Sequence, residues 1–322
     1  MADVFVVRRR PIVMSDYSRA TEAWDAAHPV DEERARALIA QQFSRIDTTR
    51  LEAIGSGWDN DMWRAGAWAF RFPRRAFGVE AIDTEIRVLP ALALRLPLAI
   101  PRPTWIGAAT PEYPSAFYGH SYLDGETVEK HSMTLEQRAE CVEPLAIFLR
   151  ELHGLDREEG LRLGIPDRLA ASQMERLKNR ALEEVARLRF RGLGPELDEA
   201  ERRLEACPAD SSPGSWTVIH ADFHARHIVL DASLRPSGVL DWGDICFGDP
   251  AVDLSIAYTF LPADLRERFF SVYGEVDPET KRRARHVGLT RYGLITLDYA
   301  MAVGNTLLEQ ETRWSLQCCL DE

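Results

Sequence analysis

The spacing of apolar residues changes along the chain, and each spacing predicts a different kind of element. Near the N-terminus the spacing is helical, which predicts amphipathic helices over residues 15–27 and 30–43. The second of these places Leu38, Ile39 and Phe43 on one face and opens with acidic residues. Negative charge in a first turn suits the helix dipole, so the pattern and the charge agree.

After residue 50 the apolar residues fall into short β-like runs that glycine turns separate. The runs at 51–54, 61–64 and 68–72 predict an antiparallel meander. A helix over 80–95 and strands over 104–107 and 116–122 are predicted to follow. This half of the chain is therefore expected to form a small sheet with an accompanying helix.

The rest of the chain is predicted to be mainly helical. Thr134 and Gln137 have the spacing of a capping box and predict a helix that runs to about His153. Further helices are predicted over 167–190, 194–206 and most of 251–320. Two short apolar runs, 217–219 and 238–240, interrupt the helical pattern and predict brief buried strands.

The β-rich pattern gives way to the helical one at Asp124-Gly125. We predict a division there, into an N-terminal extension with a β-rich N-lobe over 1–123 and a helical C-lobe over 124–322. The predicted fold class is α+β, with a small antiparallel-sheet lobe and a larger, mainly helical lobe on either side of a cleft.

Composition narrows the class of partner. Hydrophobic residues make up 45% of the chain and charged residues 28%, as in globular proteins. The formal net charge of −12 argues against binding to nucleic acid. An acidic surface instead favours a small cationic substrate.

Three features predict the compartment. The chain has no apolar run of the roughly 20 residues that a membrane helix needs, so no membrane association is expected. Near the N-terminus the apolar stretch Val4–Val7 precedes three arginines, the reverse of a signal peptide. The five cysteines are odd in number and lack Cys-x-x-Cys spacing, which favours reduced thiols. We predict a cytoplasmic protein.

Two aspartates carry the chemistry that the sequence suggests. Asp222 follows the apolar run 217–219, and Asp241 follows 238–240 at the start of Asp-Trp-Gly. In phosphoryl transfer from a nucleotide, one carboxylate orients the attacking hydroxyl and accepts its proton, while another holds Mg²⁺ against the phosphates. Protein kinases have the same order: an Asp, four residues, an Asn, and later Asp-Phe-Gly. We predict Asp222 as catalytic base and Asp241 as a Mg²⁺ ligand.

His227 stands where that signature has its Asn. An imidazole can ligate a divalent ion although Mg²⁺ prefers oxygen, so His227 is predicted as the second metal ligand, with a hydrogen-bonding loop histidine as the alternative. The spacing of His220, His224 and His227 also permits a zinc site, but it fits no zinc-protease signature. His220 and His224 are instead predicted to bond backbone groups around the catalytic turn.

The N-terminal half contains features that suit a nucleotide. Gly57 belongs to a glycine turn that either covers phosphates or is a plain hairpin turn. Arg71 lies on the third strand, where a kinase has its phosphate-binding lysine, and Glu85 on the next helix is the expected partner. Arg74 and Arg75 are predicted to be solvated.

The other acidic residues near these segments divide into two groups. Asp249 and Asp253 are predicted to be structural, as caps and anchors where the chain enters a helix. Asp244, three residues beyond Asp241, and Glu126 are candidates to meet an amine of the substrate.

These residues together resemble the aminoglycoside and macrolide phosphotransferase family, small-molecule kinases with a protein-kinase-like fold. The resemblance runs from about Val30 to the end of the chain. It rests on segments that occur in order at 57–60, 70–75, 85–86, 101–103, 123–125, 220–227, 241–244 and 248–250.

The resemblance implies the bilobal kinase-like fold, with a nucleotide in the cleft between the lobes. By position it implies Asp222 as base, Asp241 and residue 227 as metal ligands, and Arg71 with Glu85 at the phosphates. It also implies that the backbone at Ser121 and Leu123 binds the purine.

The chain departs from the usual family pattern at three positions. The family usually has Asn where His227 stands, often Lys where Arg71 stands, and commonly Gly where Ala221 stands; the last is expected to be a minor change. Members resembling the 2″-type aminoglycoside enzymes carry His at the first position, and macrolide-type members often have Arg near the second.

The leading hypothesis is a cytoplasmic O-phosphotransferase, a monomer or homodimer. It would use Mg²⁺ and ATP or GTP to phosphorylate a hydroxyl of an aminoglycoside- or macrolide-like compound, which would confer antibiotic resistance. A metabolic kinase of the choline, homoserine or fructosamine kinase type shares the same machinery and is one alternative. A nucleotide-binding pseudokinase is the other, since His227 and Arg71 depart from the commonest kinase residues.

Overall fold

The computed structural model describes residues 29–56, 59–167, 174–206 and 216–321. The helix predicted over 15–27 lies outside these ranges. Within them the chain has an α+β fold, with a five-stranded antiparallel sheet in its first part and mostly helices in its second. None of the helices in these ranges is long and apolar enough to cross a bilayer.

The first lobe is built on the predicted meander. Helix α1 (Glu32–Gln42) begins at Asp31, whose side chain accepts a hydrogen bond from the backbone N–H of Arg34. The strands are β1 (Glu52–Ser56), β2 (Asn60–Ala65), β3 (Trp68–Pro73), β4 (Trp105–Gly107) and β5 (Phe117–Ser121), paired in the order β1-β2-β3-β5-β4. Helix α2 (Ala76–Leu92) joins β3 to β4 and begins and ends earlier than predicted.

Aromatic packing holds α1 against this sheet. Phe72 and Phe117 stack with ring centroids 4.7 Å apart, and Phe43 after α1 lies 5.6 Å from Trp105. Aromatic pairs of this kind stabilise by about 0.5–1.5 kcal/mol beyond the apolar area they bury. The cluster fixes β3 and β5, the two strands that carry site residues.

The second lobe is mainly helical. Its first helices are α3 (Leu135–Glu140), α4 (Val142–His153), α5 (Arg157–Leu163), α6 (Met174–Phe190) and α7 (Glu196–Ala206). Later come α8 (Ala251–Leu254), α9 (Ile256–Thr259), α10 (Ala263–Tyr273), α11 (Pro278–Val287), a π-helical segment (Gly288–Ile295), α12 (Thr296–Val303) and α13 (Thr306–Leu320). A buried ion pair, Arg138 Nη2 to Glu311 Oε2 at 2.6 Å, ties α3 to α13.

Two helix predictions differ from the structure. The helix predicted from 134 to 153 is divided at Cys141 into α3 and α4, because Pro144 in the first turn of α4 has no N–H with which to continue the hydrogen bonds of α3. The capping box of Thr134 and Gln137 is confirmed. The helix predicted to begin at 167 does not begin there, since Asp167 is not helical.

Short strands at the centre of the second lobe deliver the two aspartates. Strand β7 (Thr217–Ile219) pairs with β10 (Cys246–Gly248), while β6 (Glu126–Thr127), β8 (Ile228–Leu230) and β9 (Pro236–Val239) form a three-stranded sheet in the order β6-β8-β9. The strands predicted before Asp222 and Asp241 are therefore confirmed as β7 and β9.

The chain enters β6 through Gly125, where the division into two domains is predicted. Gly125 has φ +127°, and a Cβ there would lie 2.1 Å from the backbone oxygen of Leu230, so only glycine fits. The division itself stays a prediction.

Candidate active site

The loop after β7 holds Asp222 through its backbone. Ala221 has φ +70°, in the left-handed region. The buried carboxylate of Asp253 accepts hydrogen bonds from the backbone N–H groups of His220 at 2.7 Å and Ala221 at 2.9 Å. Asp253 thus anchors the turn, as its predicted structural role requires.

His220 links the two aspartate-bearing segments. Its Nε2 donates to the backbone oxygen of Leu240 at 2.9 Å, and its Nδ1 accepts from the backbone N–H of Asp222 at 3.2 Å. Burial lowers the pKa of His220, which favours this neutral form. The predicted scaffolding role of His220 is confirmed. A three-histidine zinc site is wrong, because both ring nitrogens of His220 are already engaged.

His227 lies between the two aspartates. Its Nδ1 is 2.8 Å from the backbone oxygen of Asp222. A carbonyl only accepts, so Nδ1 donates, and in a neutral imidazole with this bond the lone pair is on Nε2. That Nε2 lies 3.5 Å from Oδ2 of Asp241. The structure therefore brings Asp222, His227 and Asp241 together as the sequence predicts, with the free nitrogen of His227 facing the Asp241 carboxylate.

His224 belongs to the site rather than to the loop scaffold. Its Nε2 lies 3.6 Å from Oδ2 of Asp222, and its ring stacks on Tyr292 at 4.9 Å. Burial lowers the pKa of His224 to about 4, so the imidazole is neutral at neutral pH. The predicted role of the His224 ring in bonding backbone groups is thus wrong.

Donor atoms of Asp222, His224 and His227 lie within 4.8 Å of one another, a spacing that suits a metal. The protonated Nδ1 of His227 is on that side, whereas its free Nε2 faces Asp241. The lone pair on Nε2 of His227 therefore favours a cation between His227 and Asp241 over a cation between His224 and His227.

Asp222 is ionised in this setting. Burial opposes its charge, but on acidification His224 takes up a proton first, and this cation together with the Arg291 guanidinium holds the pKa of Asp222 well below its usual value. Arg291 Nη2 lies 3.6 Å from Oδ1, and the Tyr292 hydroxyl donates to the same oxygen at 3.3 Å. An ionised carboxylate can accept a hydrogen bond from the hydroxyl group of a substrate.

Arg71 on β3 lies between two carboxylates. The expected pair with Glu85 on α2 is present, with Nε 3.3 Å from Oε2, and Nη2 also contacts Oδ1 of Asp241 at 2.7 Å. Tyr118 on β5 donates to Glu85 at 3.0 Å. Although burial alone would lower it, Glu85 and Asp241 raise the pKa of Arg71. Burial raises the pKa of Glu85 to about 7.

The two arginines that follow are not solvated, so that prediction is wrong. Arg74 Nη1 lies 3.3 Å from Oδ1 of Asp61, and Arg75 Nη1 lies 3.8 Å from Oδ1 of Asp59. Both side chains are partly buried. The two neighbouring arginines therefore pair with different carboxylates, Arg74 with one on β2 and Arg75 with one just before it.

The predicted purine and phosphate contacts lie along the same lobe. Ser121 ends β5, and its backbone oxygen accepts a hydrogen bond from Nδ1 of His120 at 2.8 Å, while Leu123 lies two residues on in the connector. Gly57 lies outside the described residues. The nucleotide roles of Ser121, Leu123 and Gly57 stay predictions.

The remaining acidic residues have separate surroundings. Glu126 on β6 is exposed, and its Oε2 lies 3.7 Å from Nε2 of His131. Asp244 follows the Asp-Trp-Gly turn, and its charge contributes to the raised pKa of Glu85. Asp249 is structural as predicted, because it accepts from the backbone N–H of Ala251 and pairs with Arg283 at 2.7 Å.

Sequence reasoning missed Tyr118, Arg291 and Tyr292. Tyr118 stands on a strand whose alternation explains it as a core residue. Arg291 and Tyr292 come 70 residues after the groups they contact, Ala221 and Asp222. No local pattern identifies them. The signal that the sequence offers is the resemblance to kinase sites, which makes any residue near Asp222 a candidate.

A small sheet that places an arginine beside strand-end aspartates of a helical lobe is the arrangement of kinase-like enzymes. Aminoglycoside 2′-phosphotransferase-IIIa, solved with GDP, has this fold with a TM-score of 0.65 and 21% identity, covering 90% of this chain and 98% of that one. Macrolide 2′-phosphotransferase MphH from Brachybacterium faecium gives a TM-score of 0.57 at 21% identity, over 89% and 98% of the two chains. The class is thus a bilobal, kinase-like α+β fold.

Sequence comparison gives the family. The profile of the phosphotransferase enzyme family (APH) matches residues 50–286, and the chain belongs to that family. Viomycin phosphotransferase from Streptomyces vinaceus is 28% identical over 217 residues, 66% of this chain and 74% of the relative. The protein is an enzyme, a kinase whose acceptor is an alcohol group.

Proposed function

We propose that the protein transfers the γ-phosphoryl group of ATP or GTP to a hydroxyl of an aminoglycoside- or macrolide-like compound. The observation that carries the proposal is the position of His227. Its Nδ1 bonds the backbone of Asp222 at 2.8 Å, and its Nε2 faces Asp241 at 3.5 Å. One side chain thus sets the distance between the predicted base and the predicted metal ligand.

Asp222 would act on the acceptor. Its ionised carboxylate accepts a hydrogen bond from the attacking hydroxyl, orients the oxygen toward the γ-phosphorus and takes up the proton as transfer proceeds. The new oxygen–phosphorus bond forms while the bond from the γ-phosphorus to the β–γ bridging oxygen breaks, and the nucleoside diphosphate leaves with the electron pair. Positioning and charge neutralisation supply most of the acceleration in this chemistry.

Asp241 and His227 would hold Mg²⁺. The donors fit, because protein sites commonly bind Mg²⁺ through one or two side chains together with substrate phosphates and water. Bound there, the ion would neutralise charge on the β- and γ-phosphates. Arg71 contacts the second oxygen of Asp241 and is placed to share its charge with a phosphate.

The substrate classes come from the relatives. The similar solved structures are aminoglycoside and macrolide phosphotransferases, some with GDP or ADP, and a sequence relative is named for viomycin. We propose the backbone at Ser121 and Leu123 for the purine, Gly57 for the phosphates, and Asp244 and Glu126 for a substrate amine. Antibiotic resistance is the proposed role. The cytoplasm is the proposed compartment, where the buried thiols of Cys141, Cys246, Cys318 and Cys319 would stay reduced.

A substrate panel tests the proposal. Aminoglycosides, macrolides and viomycin, with choline and homoserine beside them, are incubated with ATP or GTP and Mg²⁺, and phosphorylated product is measured by mass spectrometry. We expect product with an antibiotic and a fall in kcat of about 10²–10⁴ in Asp222→Asn. Turnover confined to the metabolites would support a metabolic kinase, and binding without any turnover would support a pseudokinase. Undiminished turnover in Asp222→Asn would refute the role of Asp222.

A further inference from the structure

The π-helical segment 288–295 brings two neighbouring side chains to one oxygen of Asp222. Arg291 donates through Nη1 to the backbone oxygen of Ala221 at 2.8 Å, and its Nη2 lies 3.6 Å from Asp222 Oδ1. The Tyr292 hydroxyl donates to the same oxygen at 3.3 Å. A π turn holds more residues than an α turn, so consecutive side chains diverge less, and such turns are frequent at functional sites.

The two oxygens of Asp222 consequently have different surroundings. Oδ1 faces a hydroxyl donor and a guanidinium from the π-helical segment. Oδ2 faces the imidazole nitrogens of His224 and His227, each at 3.6 Å, which is beyond hydrogen-bond distance. Oδ1 therefore accepts a hydrogen bond from Tyr292, to which Arg291 adds only its charge, and Oδ2 retains its capacity to accept.

Tyr292 is suited to hold an atom in place. It is buried, with 4% of its surface exposed, and its ring stacks on His224 with centroids 4.9 Å apart and planes at 28°. A tyrosine hydroxyl on a ring packed in this way has little freedom to move. The same ring fixes the orientation of His224 beside Oδ2.

We propose that Tyr292, which donates to Oδ1 of Asp222, and Arg291, which donates to the backbone oxygen of Ala221, are positioning residues that hold the Asp222 carboxylate and so reserve Oδ2 for the acceptor hydroxyl. The inference rests on the proposed function. A carboxylate that rotated freely would present either oxygen, and a displacement of about 1 Å at the reacting atoms lowers the rate about 10²-fold. The hydroxyl of Tyr292 therefore acts through Asp222 and contributes to kcat rather than to binding.

Tyr292→Phe tests this by removing only the hydroxyl. We expect kcat to fall about tenfold while KM for nucleotide and acceptor stays within about twofold, because the lost bond acts only on the base. Thr290→Val is the matched control: it removes a buried hydroxyl from the same segment, one that bonds the backbone oxygen of His286 at 2.8 Å. It is expected to lower Tm and leave kcat unchanged.

A second measurement needs no identified acceptor. Kinases transfer the γ-phosphoryl slowly to water, so release of inorganic phosphate from ATP or GTP is followed in wild type, Tyr292→Phe, Asp222→Asn and the double variant. We expect Tyr292→Phe to have no further effect once Asp222 is replaced, because the hydroxyl works through that carboxylate.

The outcomes separate the inference from the proposed function. Equal losses of kcat in Tyr292→Phe and Thr290→Val, a change confined to acceptor KM, or multiplicative losses in the double variant would overturn the inference while the function stands. A wild-type protein that neither phosphorylates the panel nor hydrolyses nucleotide would overturn the proposed function and the inference with it.

Discussion

The two sides of the site hold their carboxylates in opposite ways. On the N-lobe side, Arg71 pairs directly with Asp241 at 2.7 Å and with Glu85 at 3.3 Å. On the C-lobe side, the side chains nearest to the Asp222 carboxylate stay 3.3–3.6 Å away, while its turn is held through backbone hydrogen bonds. The side proposed for the phosphates is thus built from charges that are already paired and can be shared with a ligand. The side proposed for the acceptor keeps one carboxylate ionised and partly exposed.

Arg71→Met removes the cation that pairs with Asp241 and Glu85. Its expected effect is the largest after loss of the proposed base. The substitution leaves Glu85 buried without its cation, which costs about 3 kcal/mol, the low end for a broken buried pair because Glu85, whose pKa burial already raises to about 7, can take up a proton. Loss of the cation beside the phosphates lowers kcat/KM for nucleotide about 10²–10³-fold. Urea unfolding and steady-state kinetics measure the two effects.

Arg74→Met is the control for that variant. Arg74 pairs with Asp61 instead of Asp241, so its loss is expected to lower stability and leave kcat/KM within about threefold. Equal kinetic losses in the two variants would show that Arg71 has no specific part in transfer.

His227→Asn sharpens the boundary between the two sides. The amide can still donate to the backbone of Asp222, and its oxygen is a donor that Mg²⁺ prefers to nitrogen. We expect kcat within about tenfold of wild type and half-maximal activity at several-fold lower Mg²⁺. The ring of His224 faces Asp222 instead, so His224→Asn is expected to leave the Mg²⁺ dependence unchanged. If both variants shift it alike, His227 is not the ligand.

Ala221→Gly has the smallest expected effect and tests the strain on the acceptor side. Ala221 has φ +70°, where an L-residue costs about 1–2 kcal/mol and glycine about none. Greater freedom of glycine in the unfolded chain offsets about 0.5–1 kcal/mol of the gain. We expect the free energy of unfolding to rise by up to about 1 kcal/mol, measured by urea titration.

Ala225→Gly in the same loop provides the opposite case. Its φ is not positive, so glycine there is expected to lower stability by about 0.5–1 kcal/mol. Changes of the same sign at both positions would mean that the turn at Ala221 is not strained. In that case the alanine at position 221, where the family commonly has glycine, is the minor change that the sequence alone suggests.

Local patterns predicted the framework of the site. Asp222 and Asp241 were identifiable because each follows an apolar run too short for a helix, and the structure confirms β7 and β9 before them. The pair of Arg71 with Glu85 was also predictable, since kinase-like order places one on a strand and the other on the next helix. Spacing from Asp222 likewise singled out His227.

Contacts between distant segments could not be predicted. The bond from Arg71 to Asp241 joins residues 170 positions apart, and nothing near either one specifies it. Tyr292 contacts Asp222 from a π-helical segment, which no local pattern in the sequence predicts. The division of the helix at Cys141, in contrast, is predictable from Pro144. The apolar pattern nevertheless continues across the break and favours a single helix.

Asp222 is expected to serve phosphoryl transfer, whereas Asp241 is expected to serve binding of the metal-bound nucleotide. Calorimetry of nucleotide binding with and without Mg²⁺, joined to single-turnover transfer, separates the two roles in Asp222→Asn and Asp241→Asn. We predict that Asp222→Asn binds the Mg²⁺-nucleotide like wild type and transfers about 10²–10⁴ times more slowly. Asp241→Asn should lose the Mg²⁺-dependent part of the affinity. Undiminished transfer in Asp222→Asn, or wild-type Mg²⁺-nucleotide binding in Asp241→Asn, would show that the two aspartates do not divide the roles in this way.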